Sequence, residues 1–428
     1  MDFLKQENIS VDIKLQLSKD IYQWLWTGKL PLEPYPASLR IMNLLRFLNS
    51  NSIPKKESSE LNKYLLAELN YLSKNLEYHL LANHLLENAF AWWMGVLYFK
   101  NQDWTKKAGK LLRVQLDEQI LKDGAHYELA PMYHQIILFR MLEAYHLTPS
   151  TYVLKFVLRE KAEIMLGWLQ QMTFPDETLP HFNDTTEGIS YSPKFLLETA
   201  GSIGLIPKCI EPKGSGYRVF EIGQLKVVAD VEGIKPSYQP GHAHADTFSF
   251  VLYDQQTPVV VDPGISTYNI SERRSWERST LAHNTLTIDG KDSSQVWAGF
   301  RVAKRAKVTI LSESKNRVEA AHDGYSPQIH KRVFQLTSTG FRVVDEVDNY
   351  NDRSTIECRL YLHPEIEPKQ ISENKILLTP TLEVSFEGDC KIGIDSFKYS
   401  VGFNRLVDSK YILINIKAGQ LLTNFFTK

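Results

Sequence analysis

Lys213-Gly214-Ser215-Gly216 marks a change of texture in this 428-residue chain. Upstream, apolar residues recur at the spacing of helices; downstream, short alternating or apolar runs stand between turn residues. A glycine-rich break between two such regimes reads as a domain boundary. The sequence therefore predicts an α+β protein of two domains, residues 1–212 helical and 213–428 an antiparallel β-sandwich.

Working back from the break, Leu61, Leu65, Leu66, Leu69 and Leu72 keep a three-and-four spacing, with Ser58 and Ser59 as candidate caps. Similar segments are expected near 12–26, 37–49, 81–99, 103–121, 127–146, 151–173 and 193–203. The breaks between them are short and polar: Asn51-Ser52-Ile53-Pro54, Asn101-Gln102-Asp103, Lys122-Asp123-Gly124 and Thr148-Pro149-Ser150. Short links make consecutive helices antiparallel neighbours, so the helices can stack in pairs as a curved α/α array. Working forward, strands are expected at Arg218 to Ile222, Leu225 to Val231, Thr247 to Tyr253, Pro258 to Val261, Asn284 to Ile288 and Ala306 to Leu311. Arg332 to Leu336, Phe341 to Val347 and Thr355 to Leu362 continue the series.

Composition is that of an ordinary globular protein, 43% hydrophobic and 23% charged. A formal net charge of -1 gives no basic field for nucleic acid. The 8 Trp and 20 Tyr are compatible with a carbohydrate cleft. Cys209, Cys358 and Cys390 have no metal-type spacing and imply no disulfide framework. No run reaches the roughly 18 apolar residues of a membrane span. Met1 to Glu7 lacks the features of a signal peptide. Either the protein stays in the cytoplasm or the chain lacks its natural leader.

The chemistry gathers at Pro240-Gly241-His242-Ala243-His244-Ala245-Asp246. If extended, this stretch would put His242, His244 and Asp246 on one face. Val261-Asp262-Pro263-Gly264 and Leu281-Ala282-His283-Asn284 add a carboxylate and a histidine at strand ends. His244, Asp262 and His283 would make a His2Asp set suited to zinc, provided the strand ends are neighbours. In the helical half, Asn83 and Glu87 share a helix face, as do His84 and Asn88. Pro131 fits the first turn of a helix, which would carry Tyr133 near its positive end. His181-Phe182-Asn183-Asp184 would line a cleft or cap the next helix.

Gly241 to Asp246, Val261 to Gly264, Arg278 to Thr285 and Trp297-Ala298-Gly299-Phe300 resemble the C-terminal half of the heparinase II/III family of polysaccharide lyases. Asn83 to Asn88 and Glu128 to His134 resemble that family's N-terminal half. The resemblance covers most of the chain in the right order. It implies an α/α toroid, here incomplete and with a more open cleft, followed by the β-sandwich, with the active site between the domains. It implies β-elimination beside a uronic acid in an acidic polysaccharide. Asn83 and His84 match the donors to the substrate carboxylate, with Asn88 and Glu87 as supporting neighbours. Tyr133 matches the catalytic tyrosine, acid or base according to substrate stereochemistry, and His242 its partner base. His244, Asp262 and His283 match the ligands of one divalent metal, usually zinc.

A tyrosine of pKa ~10 is a poor base at neutral pH, and a cationic site with a helix N-terminus would lower that value. Tyr268 resembles a second cleft tyrosine of related alginate lyases, or packs as a turn residue. Arg278 would bind a substrate carboxylate or form a structural salt bridge. Asp246 is expected to accept a hydrogen bond that fixes a histidine tautomer. Two other classes stay in view: a metal-dependent hydrolase, in which HxH also binds metal, and a non-catalytic or biosynthetic glycan-binding protein on the same fold.

Overall fold

The computed structural model describes Leu4 and residues 6–50 and 53–427. Of the N-terminal run Met1 to Glu7, only Leu4, Gln6 and Glu7 are therefore described. Asn51-Ser52 of the first expected break lies outside the described residues. The chain forms two compact units interleaved in sequence. Residues 1–120, 137–163 and 202–205 make the first; 121–136, 164–201 and 206–428 make the second.

The first unit is helical. It contains α1 (Val11–Trp26), α2 (Pro34–Ser50), α3 (Lys55–Leu72), α4 (Ala82–Phe99) and α5 (Gln102–Gln119), with parts of α6 (Pro131–Leu147) and α7 (Leu154–Met172). Helix α4 is buried almost all round, which is why it reads as apolar on every face. It packs against α2, α3 and α5. Gly95 makes the α3 contact possible, because a Cβ there would lie 2.4 Å from Leu69 Cδ2. Helix α3 buries Leu61, Leu65, Leu69 and Leu72 as the spacing predicts, but Leu66 is exposed. The expected caps are also displaced. Helix α3 begins at Lys55 behind Pro54, so Ser58 and Ser59 lie within it. Asn101 does cap α5, its side chain accepting from Trp104 N at 3.1 Å.

The second unit is rich in antiparallel sheet, and α8 (Pro193–Ser202) precedes its strands. One four-stranded sheet orders β1 (Tyr217–Ile222), β2 (Leu225–Asp230), β3 (Phe250–Asp254) and β4 (Thr257–Val260). The short strands β5 (Leu286–Ile288), β6 (Val296–Trp297) and β7 (Arg301–Val302) come next, the last two pairing as a hairpin. An eight-stranded sheet draws on β8 (Val308–Ser314), β9 (Arg317–His322), β10 (Ile329–Leu336), β11 (Gly340–Asp348), β13 (Lys369–Ser372), β14 (Lys375–Leu377), β15 (Leu382–Glu387) and β18 (Gln420–Thr427). The third sheet orders β16 (Cys390–Gly402), β17 (Arg405–Ile416), β12 (Ile356–Tyr361) and β5. A single core joins Val227, Phe250 and Leu252 of the first sheet to Phe334, Phe341 and Phe425 of the second and Ile356, Leu360 and Ile412 of the third. Alternate burial along β9 and β10 is the period-two pattern of strands with one face inward. The expected order, helices followed by antiparallel sheets, is the observed one.

Two local expectations fail near the chemistry. Pro240–His242 is a turn of 3-10 helix, so the HxH stretch is not a strand. The strand expected from Thr247 begins only at Phe250, because Phe248 takes a left-handed φ of 69°. A buried arginine holds this bend. Arg332 Nη1 donates to Phe248 O at 2.7 Å and to Asn284 O at 2.8 Å, while its charge is met by Asp345 at 2.6 and 2.9 Å.

Candidate active site

All of the following cluster lies in the second unit. Leu129 and Asn183 both have left-handed backbones, with φ of 58° and 56°. Asn183 Nδ2 donates to Leu129 O at 3.0 Å, and Asn183 Oδ1 accepts from His244 N at 2.9 Å. One side chain thus ties the start of α6 to the HxH stretch. Pro131 begins α6 as expected, placing Tyr133 in its first turn.

Asp184 is the hub. Its Oδ2 is 2.8 Å from His242 Nδ1 and its Oδ1 is 2.9 Å from His244 Nε2. Arg274 grips both oxygens, Nη1 to Oδ1 at 2.5 Å and Nη2 to Oδ2 at 2.8 Å. Burial opposes ionisation, but the hydrogen bonds from His242 and His244 and the charge of Arg274 outweigh it and hold Asp184 well below the usual carboxylate range. The two histidines therefore do not line one extended face; they converge on one carboxylate from a turn. The stretch ending at Asp184 was expected to line a cleft or cap the next helix, without a link to the two histidines. Helix α8 starts at Pro193, too far along for Asp184 to cap it.

Beside this hub, the Tyr133 and His242 rings lie 4.2 Å apart between centroids, tilted by 36°. Tyr133 Oη is 3.1 Å from Tyr268 Oη, and Phe300 packs edge-on to His242 and tilted against Tyr268. His242 Nε2 lies 3.6 Å from Glu128 Oε2. Burial lowers the His242 pKa, yet its hydrogen bond to Asp184 and the nearby Glu128 raise it overall. The shift of Tyr133 runs opposite to the acidification expected of it. Burial pushes its pKa up, and Asp184 and Glu128 add to this; the Tyr268 hydrogen bond and Arg274 oppose it without prevailing. The balance favours the neutral form of the Tyr133 phenol. Tyr268 is likewise raised, by burial first and then by Asp184.

His283 Nδ1 is bonded to Asp262 Oδ2 at 2.7 Å, and the His244 and His283 rings are 5.4 Å apart. Among the described residues, no group of three or more His, Cys, Asp or Glu side chains is arranged to hold a metal. Two ring nitrogens in this region, His244 Nδ1 and His283 Nε2, are nevertheless buried with no hydrogen-bond partner. Asp246 does not hold a histidine tautomer. Both of its oxygens are buried without a hydrogen-bond partner, and burial followed by repulsion from Asp230 raises its pKa well above normal.

In the first unit, Asn88 is fully engaged, accepting from Glu77 N and donating to Glu77 Oε2 and Ser38 Oγ at 2.9–3.0 Å. Glu87 is buried against Arg140 at 3.0 Å. These two residues support α4 from within. Asn83 is also buried, whereas His84 is partly open, its Nδ1 3.2 Å from Glu77 Oε1 and its ring against Tyr35. Arg278 is buried, and its guanidinium faces the carbonyls of Ala243, Trp297 and Ala298 at 2.9, 3.2 and 3.4 Å. It forms no salt bridge among the described residues. It lies on α9 (Glu272–Arg278), one turn after Arg274, and α9 is the helix the strand reading missed. Ser271, which accepts from Arg274 N at 3.1 Å, was the available signal for it.

The family model described as Heparinase II/III-like, C-terminal matches residues 211–423, and that of the Heparinase II/III N-terminus matches 37–195. A heparin-sulfate lyase of Pedobacter heparinus is 26% identical over 322 residues, 65% of this chain and 46% of the relative. One from Bacteroides stercoris is 25% identical over 57% of this chain and 40% of its own. The chain thus spans less than half the length of these curated relatives. A crystal structure titled Heparinase III superposes with a TM-score of 0.74 at 18% identity, covering 97% of this chain and 73% of that one. A heparan sulfate lyase mutant from Pedobacter heparinus gives 0.72 at 17% identity over the same shares. With both family models matched in order across most of its length, this chain belongs to the heparinase II/III family.

Proposed function

We propose that the protein cleaves a uronate-containing acidic polysaccharide by β-elimination, as a carbon–oxygen lyase. The observation that carries this reading is the pairing of the partly buried Tyr133, its pKa pushed up, with the His242 ring at 4.2 Å between centroids. The C5 proton would pass to a ring nitrogen of His242, the C–H electrons would form the C4=C5 bond, and the C4–O4 bond would break. Tyr133 would give its proton to the departing O4. Positioned acids and bases of this kind contribute roughly 10²–10⁴-fold each. A neutral phenol suits the acid half of this step. Asn83 and His84, carried by the resemblance, are assigned to neutralise the substrate carboxylate.

One divalent ion, zinc first among candidates, is assigned to His244 and His283 through their unpartnered nitrogens, with Asp262 beside them. Histidine nitrogens and a carboxylate form a donor set suited to that ion. When bound, it would supply a fixed positive charge that orders the HxH stretch. His242 and Tyr133 move the protons.

The test is incubation with heparan sulfate, chondroitin sulfate and alginate, followed by ultraviolet absorbance of the unsaturated sugar end. Rising absorbance is expected on at least one polymer. New reducing ends without the chromophore would make the protein a hydrolase, and binding without cleavage would make it a glycan-binding protein.

A further inference from the structure

The hairpin of β6 and β7 carries two side chains that the catalytic cluster does not use. Trp297 and Arg301 are directly opposed across it, so their side chains share one face. Trp297 is 51% exposed, an unusual position for the largest apolar side chain, and Arg301 is exposed as well. No ion pair involving Arg301 is found among the described residues.

The hairpin is rigidly held. Its stem continues through Gln295 N to Lys304 O at 2.7 Å and Ala303 N to Gln295 O at 2.9 Å. Its tip carbonyls are gripped by the buried Arg274 and Arg278, including Arg274 Nη2 to Gly299 O at 2.9 Å. Phe300 at that tip touches His242 and Tyr268. The open groove beside Trp297 measures about 620 Å³ and is also lined by Lys291, Gln295 and Lys304. Asp292 is the one acidic side chain on its lining, and its Oδ1 is engaged by Thr280 N at 2.8 Å.

We infer that Trp297 and Arg301 form a binding subsite for a further acidic sugar unit of the chain, next to the unit held at His242 and Tyr133. This rests on the reading of the protein as acting on an acidic polysaccharide. The indole offers a flat apolar face for a pyranose ring, and the guanidinium a planar fork for its carboxylate or sulfate. Lys291 and Lys304 add positive charge in the groove beside Trp297.

Steady-state kinetics of Trp297→Ala and Arg301→Ala test this, on the polymer cleaved by the wild type and on its shortest cleaved oligosaccharide. The expected result is a KM about tenfold higher on the polymer, a much smaller rise on the short substrate, and kcat little changed, the signature of lost uniform binding. Trp297→Phe should recover part of the loss. Equal effects on both lengths, or none on either, would overturn the subsite. If the wild type cleaves nothing, calorimetric binding of heparan sulfate and alginate oligosaccharides decides instead. Weaker binding by Trp297→Ala keeps the subsite though the lyase reading fails, and unchanged binding removes both.

Discussion

Asp184 and Arg274 form a two-pronged, fully buried ion pair, and the same carboxylate also receives His242 and His244. Replacing the carboxylate would leave Arg274 as a buried charge without its counterion. Asp184→Asn is expected to destabilise the protein by about 3–5 kcal/mol, the usual consequence of breaking a buried pair. Denaturant unfolding measures this. A loss below 1 kcal/mol would mean that Arg274 finds water or another acceptor.

Tyr133→Phe removes the acid and leaves the ring against His242. Turnover should fall by about 10²–10⁴-fold with unfolding behaviour close to that of the wild type. Tyr268→Phe loses only the hydroxyl at 3.1 Å and should cost less activity. Retained turnover in Tyr133→Phe would move the acid elsewhere.

Purified protein should contain about one tightly held divalent ion, with zinc expected by elemental analysis. His283→Ala should lose it, and chelation should lower the melting temperature of the wild type but not of the variant. An active protein without metal would leave His244 and His283 as packing residues.

His126 and His134 are buried and neutral, burial pushing each pKa down to about 3, aided by the neighbouring His242 and His126 respectively. Their folded pKa values lie below the unfolded value of about 6.5, so the unfolded chain takes up protons first. Stability should therefore be full above about pH 6.5 and fall as pH drops below it, by up to about 1.4 kcal/mol per pH unit for each histidine. His134→Gln should flatten the slope of a stability-against-pH curve between pH 6 and 4. An unchanged slope would assign the acid sensitivity to other groups.

Arg332→Met would leave Asp345 with only His330 as a partner and release the bend at Phe248. The expected loss is about 3–5 kcal/mol. Double replacement with Asp345→Leu should recover part of it, since no charge is then left unpaired.

Much of the frame could be read from local spacing. Leu61, Leu65, Leu69 and Leu72 sit on one face of a helix, and the alternation of 329–336 is that of a half-buried strand. The proline before Met132-Tyr133 marked the start of α6 for a steric reason that needs no tertiary context. His242 and His244 were misplaced on one extended face because a proline opens a turn there. Asp184 could be read only as a cleft-lining or capping residue because its partners His242, His244 and Arg274 lie 58, 60 and 90 residues away. No periodicity reports contacts at such separations. The Tyr133 acidity failed for a related reason: the helix end is a local feature, whereas the burial that dominates is supplied by the rest of the fold.

Asn183 and Asp184 stand before the first strand, yet they are what fixes the histidines that follow it. An ancestor that exchanged everything upstream of Gly214 for another helical module would have kept both histidines and lost their anchor. A break at the visible seam would thus part the two histidines from the carboxylate and the amide that hold them.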